Sequence, residues 1–181
     1  MRIIAGTLKG RRLKPPAWAG LRPTSDKLRE TVFNILAPRV KGACVLDGYA
    51  GTGALGIEAI SRGAQSATFV DEDRRATALI AENLAHCGIS DQCVIIRATL
   101  DRAVETLRER AAFDIVLLDP PYAPAHDPES VLRSVASLLA PRGVPVLEHA
   151  RRTPVPDASG GLVRTRGVVG GNSALSLYEL R

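Results

Sequence analysis

The segment DIVLLDPPYAPAH, residues 114–126, joins a run of apolar residues to an acid, two prolines and an aromatic ring. Both prolines fix φ and lack a backbone N–H, so a strand must end there, while their carbonyls stay free to accept hydrogen bonds. The C-terminal end of a strand is where open α/β sheets bind ligands. An acid, spare carbonyls and a flat ring at such a corner suit an exocyclic amine on a nucleobase. That nitrogen is a poor nucleophile because its lone pair is delocalised into the ring. Acceptors at Asp119 and at the Pro120 carbonyl favour the pyramidal nitrogen that attacks an electrophilic carbon. Pro121 stiffens the corner, and Tyr122 can stack on an extruded base and hold it in line. The same four residues also fit a plain turn capped by Asp119. A second element has to supply the electrophile.

That element is VLDGYAGTGALGIEAISRGA, which spaces Gly51, Gly53 and Gly56 as G-x-G-x-x-G between a strand and a helix. Glycine permits the tight turn and lets a ligand approach the backbone. Asp71 ends the next strand and can accept from ribose hydroxyls, whether the ligand is a dinucleotide or S-adenosylmethionine. Asp47, directly before the glycines, separates the two: its carboxylate repels a pyrophosphate and attracts an amino group or a sulfonium. S-adenosylmethionine is therefore the expected cofactor. Tyr49 in the loop and Glu72 beside Asp71 join this candidate donor-binding set. Ala98 and Thr99, at a third strand end, either meet the adenine edge or belong to a solvated loop.

The elements that position these residues follow from the pattern. ACVLD, SATFVD, QCVIIR, FDIVLLD and VPVLEH read as strands, with helical stretches near residues 53–62, 74–86, 101–111 and 128–140. Such alternation implies right-handed crossovers and a doubly wound, mostly parallel α/β sheet with helices on both faces. GLVRTRGVV and SALSLYEL, joined by GGNS, add a C-terminal antiparallel hairpin. Ahead of this lies a short β-prone start, a Pro/Gly loop, and a helix from about Ser25 to Ala37. Thr24 or Ser25 caps that helix and Pro38 stops it. The division predicted is residues 1–40 as a small hairpin and docking-helix appendage, and 41–181 as the catalytic domain.

Charge singles out the appendage. Residues 1–41 hold ten Lys and Arg against two acids, an excess of eight in a chain whose net charge is +5. The rest is slightly acidic. Such asymmetry fits either a polyanion partner or a solvated basic face. Arg2, Lys9, Arg11, Arg12, Lys14 and Arg22 are the candidate phosphate contacts, with Thr24 on the rim of the site. The three cysteines, Cys44, Cys87 and Cys93, form no C-x-x-C pair, which argues against a disulfide framework. His86, Cys87 and Cys93 lack a second cluster to complete four zinc ligands, so no metal is expected. No apolar run approaches the roughly 18 residues of a membrane span and no signal peptide is evident, so a cytoplasmic protein is expected.

Together MRIIAGTLKGRRL, LRPTSDKLRETVFNIL, GYAGTGALGIEAISRGA, LLDPPY and ALSLYEL resemble the RsmD family of bacterial methyltransferases, almost from end to end. The resemblance implies methylation of the N2 amine of one guanine in small-subunit (16S) ribosomal RNA, naked or as a partly assembled particle, with S-adenosylmethionine. It makes Asp119–Tyr122 the catalytic motif, Asp47, Gly51, Gly53 and Asp71 the donor site, and the basic arm the RNA grip. Where such proteins usually read D-L-F-A-G, this chain reads D-G-Y-A-G. Two other readings stand beside it: an enzyme acting on another amine, such as adenine N6, and a non-catalytic RNA-binding module on the same scaffold.

Overall fold

Val45 and Leu46, or Ile115, Val116, Leu117 and Leu118, are all buried although neighbours point to opposite faces of a strand. Both faces of the sheet must therefore be covered. The computed structural model describes residues 1–18, 25–109, 112–121 and 127–181. In them the strands are β1 (Cys44–Asp47), β2 (Ser66–Asp71), β3 (Cys93–Arg97), β4 (Phe113–Leu118), β5 (Leu139–Ala150), β6 (Ala158–Ser159), β7 (Leu162–Gly170) and β8 (Ser173–Leu180). They form one sheet in the order β3-β2-β1-β4-β5-β8-β7-β6. The pairs from β3 to β5 are parallel, and β5–β8, β8–β7 and β7–β6 are antiparallel. The fold is Rossmann-like, and the order in which successive strands are added reverses between the parallel neighbours β1 and β4.

Helices α1 (Asp26–Val40), α2 (Ala54–Ser61) and α3 (Arg74–Cys87) lie over one face. They enclose Phe33, Leu36, Ile57, Ile80 and Leu84 with Val45, Phe69, Ile115 and Leu117. Helices α4 (Leu100–Leu107) and α5 (Pro128–Val135) cover the other, where Val104, Leu132 and Val135 meet Leu46, Val116, Leu118 and Tyr178. Residues 1–40 share the first core: Ile3, Leu13, Leu28 and Val32 are buried in it.

Several boundaries differ from the sequence expectation. Helix α1 runs through Pro38 to Val40. The proline removes only the bond to the carbonyl of exposed Asn34, which water can satisfy, while Val40 gains burial at 2% exposure. Strand β5 begins at Leu139 rather than Val144, because Leu139 pairs with Phe113 before an irregularity restores register at Ile115 and Val144. Gly143 makes this possible: a Cβ there would lie 2.6 Å from the Phe113 carbonyl oxygen. Beyond α5 the chain tightens into a 3-10 turn at Ala136–Leu138, so that helix is shorter than 128–140. Helix α4 likewise stops at Leu107. The short β6 carries no sequence signal. In the appendage, the expected hairpin is a single antiparallel bridge, Arg2 opposite Arg12. Side chains of the main domain hold it in place: Glu58 accepts from the N–H groups of Ile4 (2.8 Å) and Ala5 (3.0 Å), and the Ser61 hydroxyl accepts from Leu8 N–H at 3.0 Å.

Candidate active site

The glycine loop is built by its neighbours' backbone. Gly48 N–H donates to the Leu117 carbonyl of β4 at 2.8 Å, and Ala50 N–H to the Val70 carbonyl of β2 at 3.0 Å. Gly51 and Gly53 take φ values of 55° and 79°, where a side chain is strained. Gly56 serves packing instead: a Cβ there would lie 2.3 Å from the Phe69 ring. Asp71 fixes the loop through both oxygens, accepting from Gly51 N–H and from Asp73 N–H, each at 2.9 Å. A carboxylate oxygen has a second acceptor position, so Asp71 can brace the loop and still receive a hydroxyl.

Asp47 lies beneath the loop, 1% exposed, with one oxygen accepting from Gly56 N–H at 3.0 Å. Its other oxygen, Oδ1, is buried without a hydrogen-bond partner among the described residues. Burial foremost pushes its carboxyl up to about 7, with the Asp71 charge adding to the rise and the Gly56 bond opposing it. Neither Asp47 nor Gly53 lines the adjoining cavity.

That cavity, about 1070 Å³, opens at the C-terminal ends of β1, β2 and β4. Its walls bring together Tyr49, Gly51, Asp71, Glu72, Ala98, Thr99, Asp119, Pro120 and Pro121. The Tyr49 phenol is pushed up to about 12, by burial first and then by the charges of Asp101 and Glu72. Tyr122, Arg22 and Thr24 lie outside the described residues. Pro121 and Ser25, which adjoin Tyr122 and Thr24, both line the cavity.

Comparison with known proteins gives one result along the whole chain. The family model described as "Conserved hypothetical protein 95" matches residues 1–179. "Putative rRNA methyltransferase YlbH" of Bacillus subtilis is 36% identical, with all of both chains covered. Ribosomal RNA small subunit methyltransferase D of Escherichia coli is 35% identical, over 99% of this chain and 89% of that one. The solved structure titled "Putative methyltransferase yhhF from Escherichia coli" superposes with a TM-score of 0.87 at 32% identity, covering 100% of this chain and 98% of that one. The chain belongs to the RsmD family of rRNA methyltransferases.

Solved structures that share this fold include one titled a SAM-dependent methyltransferase and one complexed with SAH, and the residues present here suit S-adenosylmethionine. The orphaned buried oxygen of Asp47, the acids Asp71 and Glu72 and the absence of a basic side chain in the glycine loop fit a cationic ligand rather than a pyrophosphate. Among the described residues no group of three or more His, Cys, Asp or Glu is arranged to hold a metal ion. Cys44, Cys87 and Cys93 are free thiols, and burial pushes Cys93 up to about 11.

In this RsmD-family chain the described basic residues of the arm stay outside the cavity. Arg2, Lys9, Arg11, Arg12 and Lys14 are exposed. Arg11 donates to the His86 carbonyl at 2.9 Å, and Lys14 pairs with Glu82 at 3.0 Å. Buried Asn83 ties the arm to the donor loop, accepting from Lys14 N–H at 2.8 Å and donating to the Thr52 carbonyl at 3.0 Å. The cavity also contains residues that the motifs do not reveal: Trp18, Asp101, Glu148 and the β7–β8 turn Gly170–Ser173. The Arg75 guanidinium sits 5.0 Å from the centre of the Trp18 ring and pairs with Asp73 at 2.7 Å. Glu148 sits mid-sheet, one position beyond a registered pair, which strand alternation alone does not mark as a site.

Proposed function

We propose that this enzyme methylates the N2 amine of a guanine in small-subunit ribosomal RNA, with Asp119–Pro121 receiving the amine, Tyr122 stacking on its base, and residues 1–40 gripping the RNA of a partly assembled particle. The observation that carries the reading is that the acid–proline corner ending β4 and the glycine loop ending β1 are neighbours and line one cavity.

When bound, S-adenosylmethionine supplies a methyl carbon on a positively charged sulfur. The chain's part is to hold the nitrogen in line with that carbon and to exclude competing geometry. Asp119 and the Pro120 carbonyl accept the two N–H groups of the amine, which localises its lone pair. The bound donor would give its methyl carbon to that nitrogen and keep the carbon–sulfur electron pair on sulfur, and Asp119 or water would take the one proton that the nitrogen sheds. No strong base is needed before attack. Tyr49, Asp71, Glu72, Ala98 and Thr99 are proposed to hold the adenosine part, Gly51 to let it approach, and Asp47 to offset its positive charge from below, with Gly53 shaping the turn.

The test is to map methylated nucleotides of small-subunit rRNA from cells lacking the protein, then to restore the mark with purified protein on naked rRNA and on assembling particles. Loss and restoration of one N2-methylguanine is the expected result. A missing N6-methyladenine, or an unchanged rRNA, overturns the proposal.

A further inference from the structure

We infer that Glu148 selects guanine by accepting the N1–H of its Watson–Crick edge, beside the amine held by Asp119; the inference rests on the guanine-N2 reading above. Strands β4 and β5 run parallel with Leu118 opposite Leu147. Asp119 and Glu148 each follow directly, so their backbones lie on neighbouring strands, about 4.8 Å apart by ordinary sheet spacing. Both residues line the cavity. Glu148 is only 7% exposed, so what reaches it from outside comes through the cavity.

The chemistry of the two candidate bases decides what this pair of acids can accept. Guanine presents N1–H and the N2 amine side by side, so its edge offers donors to two adjacent carboxylates. Adenine places a bare N1 lone pair next to its N6 amine. That lone pair would face the Glu148 carboxylate, acceptor against acceptor, with the desolvation of both left uncompensated. Asp119 alone would take either amine; Asp119 with Glu148 takes guanine. The β7–β8 turn, with Asn172 and Ser173 on the cavity wall, closes the same side.

The test uses the full-length protein and a synthetic small-subunit rRNA segment around the mapped nucleotide, carrying either guanine or 2-aminopurine there. 2-Aminopurine keeps the 2-amino group but has a bare N1. The unmodified enzyme is expected to prefer guanine in kcat/KM by about a hundredfold or more, as sites built to bond an N–H reject analogues lacking it. In Glu148→Gln the carboxamide can turn its oxygen to N1–H or its NH2 to a bare N1, so the preference is expected to fall at least about tenfold. The ratio within one protein sample is independent of the folded fraction, so a partly misfolded variant still reports. An unchanged ratio in Glu148→Gln, or equal use of both bases by the unmodified enzyme, overturns the inference. Failure of the guanine-N2 reading shows earlier and separately, as mapping of a different base or atom with the unmodified enzyme.

Discussion

Asp47 and Asp119 are both acids at strand ends, and their surroundings give them different work. Asp47 is sealed under the glycine loop, and its carboxyl rises from 3.8 to about 7. Folding therefore favours its protonated form. Its stabilising contribution is fully present below about pH 4 and is lost as pH rises through about 7. A neutral amide at this position would imitate the protonated acid at every pH. Without donor, Asp47→Asn is expected to gain on the unmodified protein by about 2 kcal/mol between pH 5 and pH 8, measured by urea unfolding. A difference that does not change with pH would assign Asp47 an ordinary pKa. Asp119 is half-buried at the cavity wall, and its proposed contact is with the reacting amine. Asp119→Ala is expected to cut turnover by about two orders of magnitude or more while donor affinity by calorimetry stays nearly unchanged. Near-normal turnover would remove Asp119 from the reaction.

At the scale of elements, the docking of the N-terminal segment depends on a buried charge in α2. Glu58 is wholly buried and accepts two backbone N–H groups of the arm as well as Arg62 Nε at 2.8 Å. Arg29 of α1, also wholly buried, lies 3.9 Å from it and donates to the Arg2 carbonyl at 2.6 Å. Burial lowers the Arg29 pKa, and the charges of Asp26 and Glu58 oppose that. Glu58→Ala would leave Arg29 and the N–H groups of Ile4 and Ala5 without this partner. A loss of about 3 kcal/mol or more is expected, with amide exchange rising first at residues 3–8. Uniform exchange across the chain would mean that the arm does not depend on Glu58. This docking is also where sequence reasoning runs short. Strand and helix alternation reveals the parallel sheet, and motif spacing reveals the loop at Gly51 and the corner at Asp119, because both are local patterns. Glu58 looks like any polar residue of an α2 surface, and Glu148 like a polar residue in a strand; only the packing of distant segments makes one an anchor and the other a cavity wall. Pro38 misled for the same reason: the burial of Leu36 and Val40 on either side of it outweighed a local breaker signal.

For the whole molecule, the question is what the basic excess of residues 1–41 is for. Counting only the two acids within that segment suggests that Arg11 and Lys14 have no partners, but the fold brings Glu82 and the His86 carbonyl to them. The Lys14–Glu82 pair is more than half exposed on both sides, so it contributes little and a phosphate can displace it. Arg2 and Arg12 are the more telling pair. They face each other across the single antiparallel bridge of the arm, and bridge partners project to the same side, where like charges repel. A protein that keeps two guanidinium groups opposed on an exposed rim loses stability unless a polyanion or solvent screens them. If the rim meets RNA phosphates, Arg2→Ala with Arg12→Ala should lower RNA affinity and flatten the slope of log K against log salt by about 0.7 to 0.9 for each phosphate no longer neutralised. Donor affinity should stay the same, since neither residue lines the cavity. Relief of the repulsion should also leave the free protein no less stable at low salt. An unchanged salt slope would make the arm a solvated face, and RNA binding would then have to be sought in the cavity's own walls.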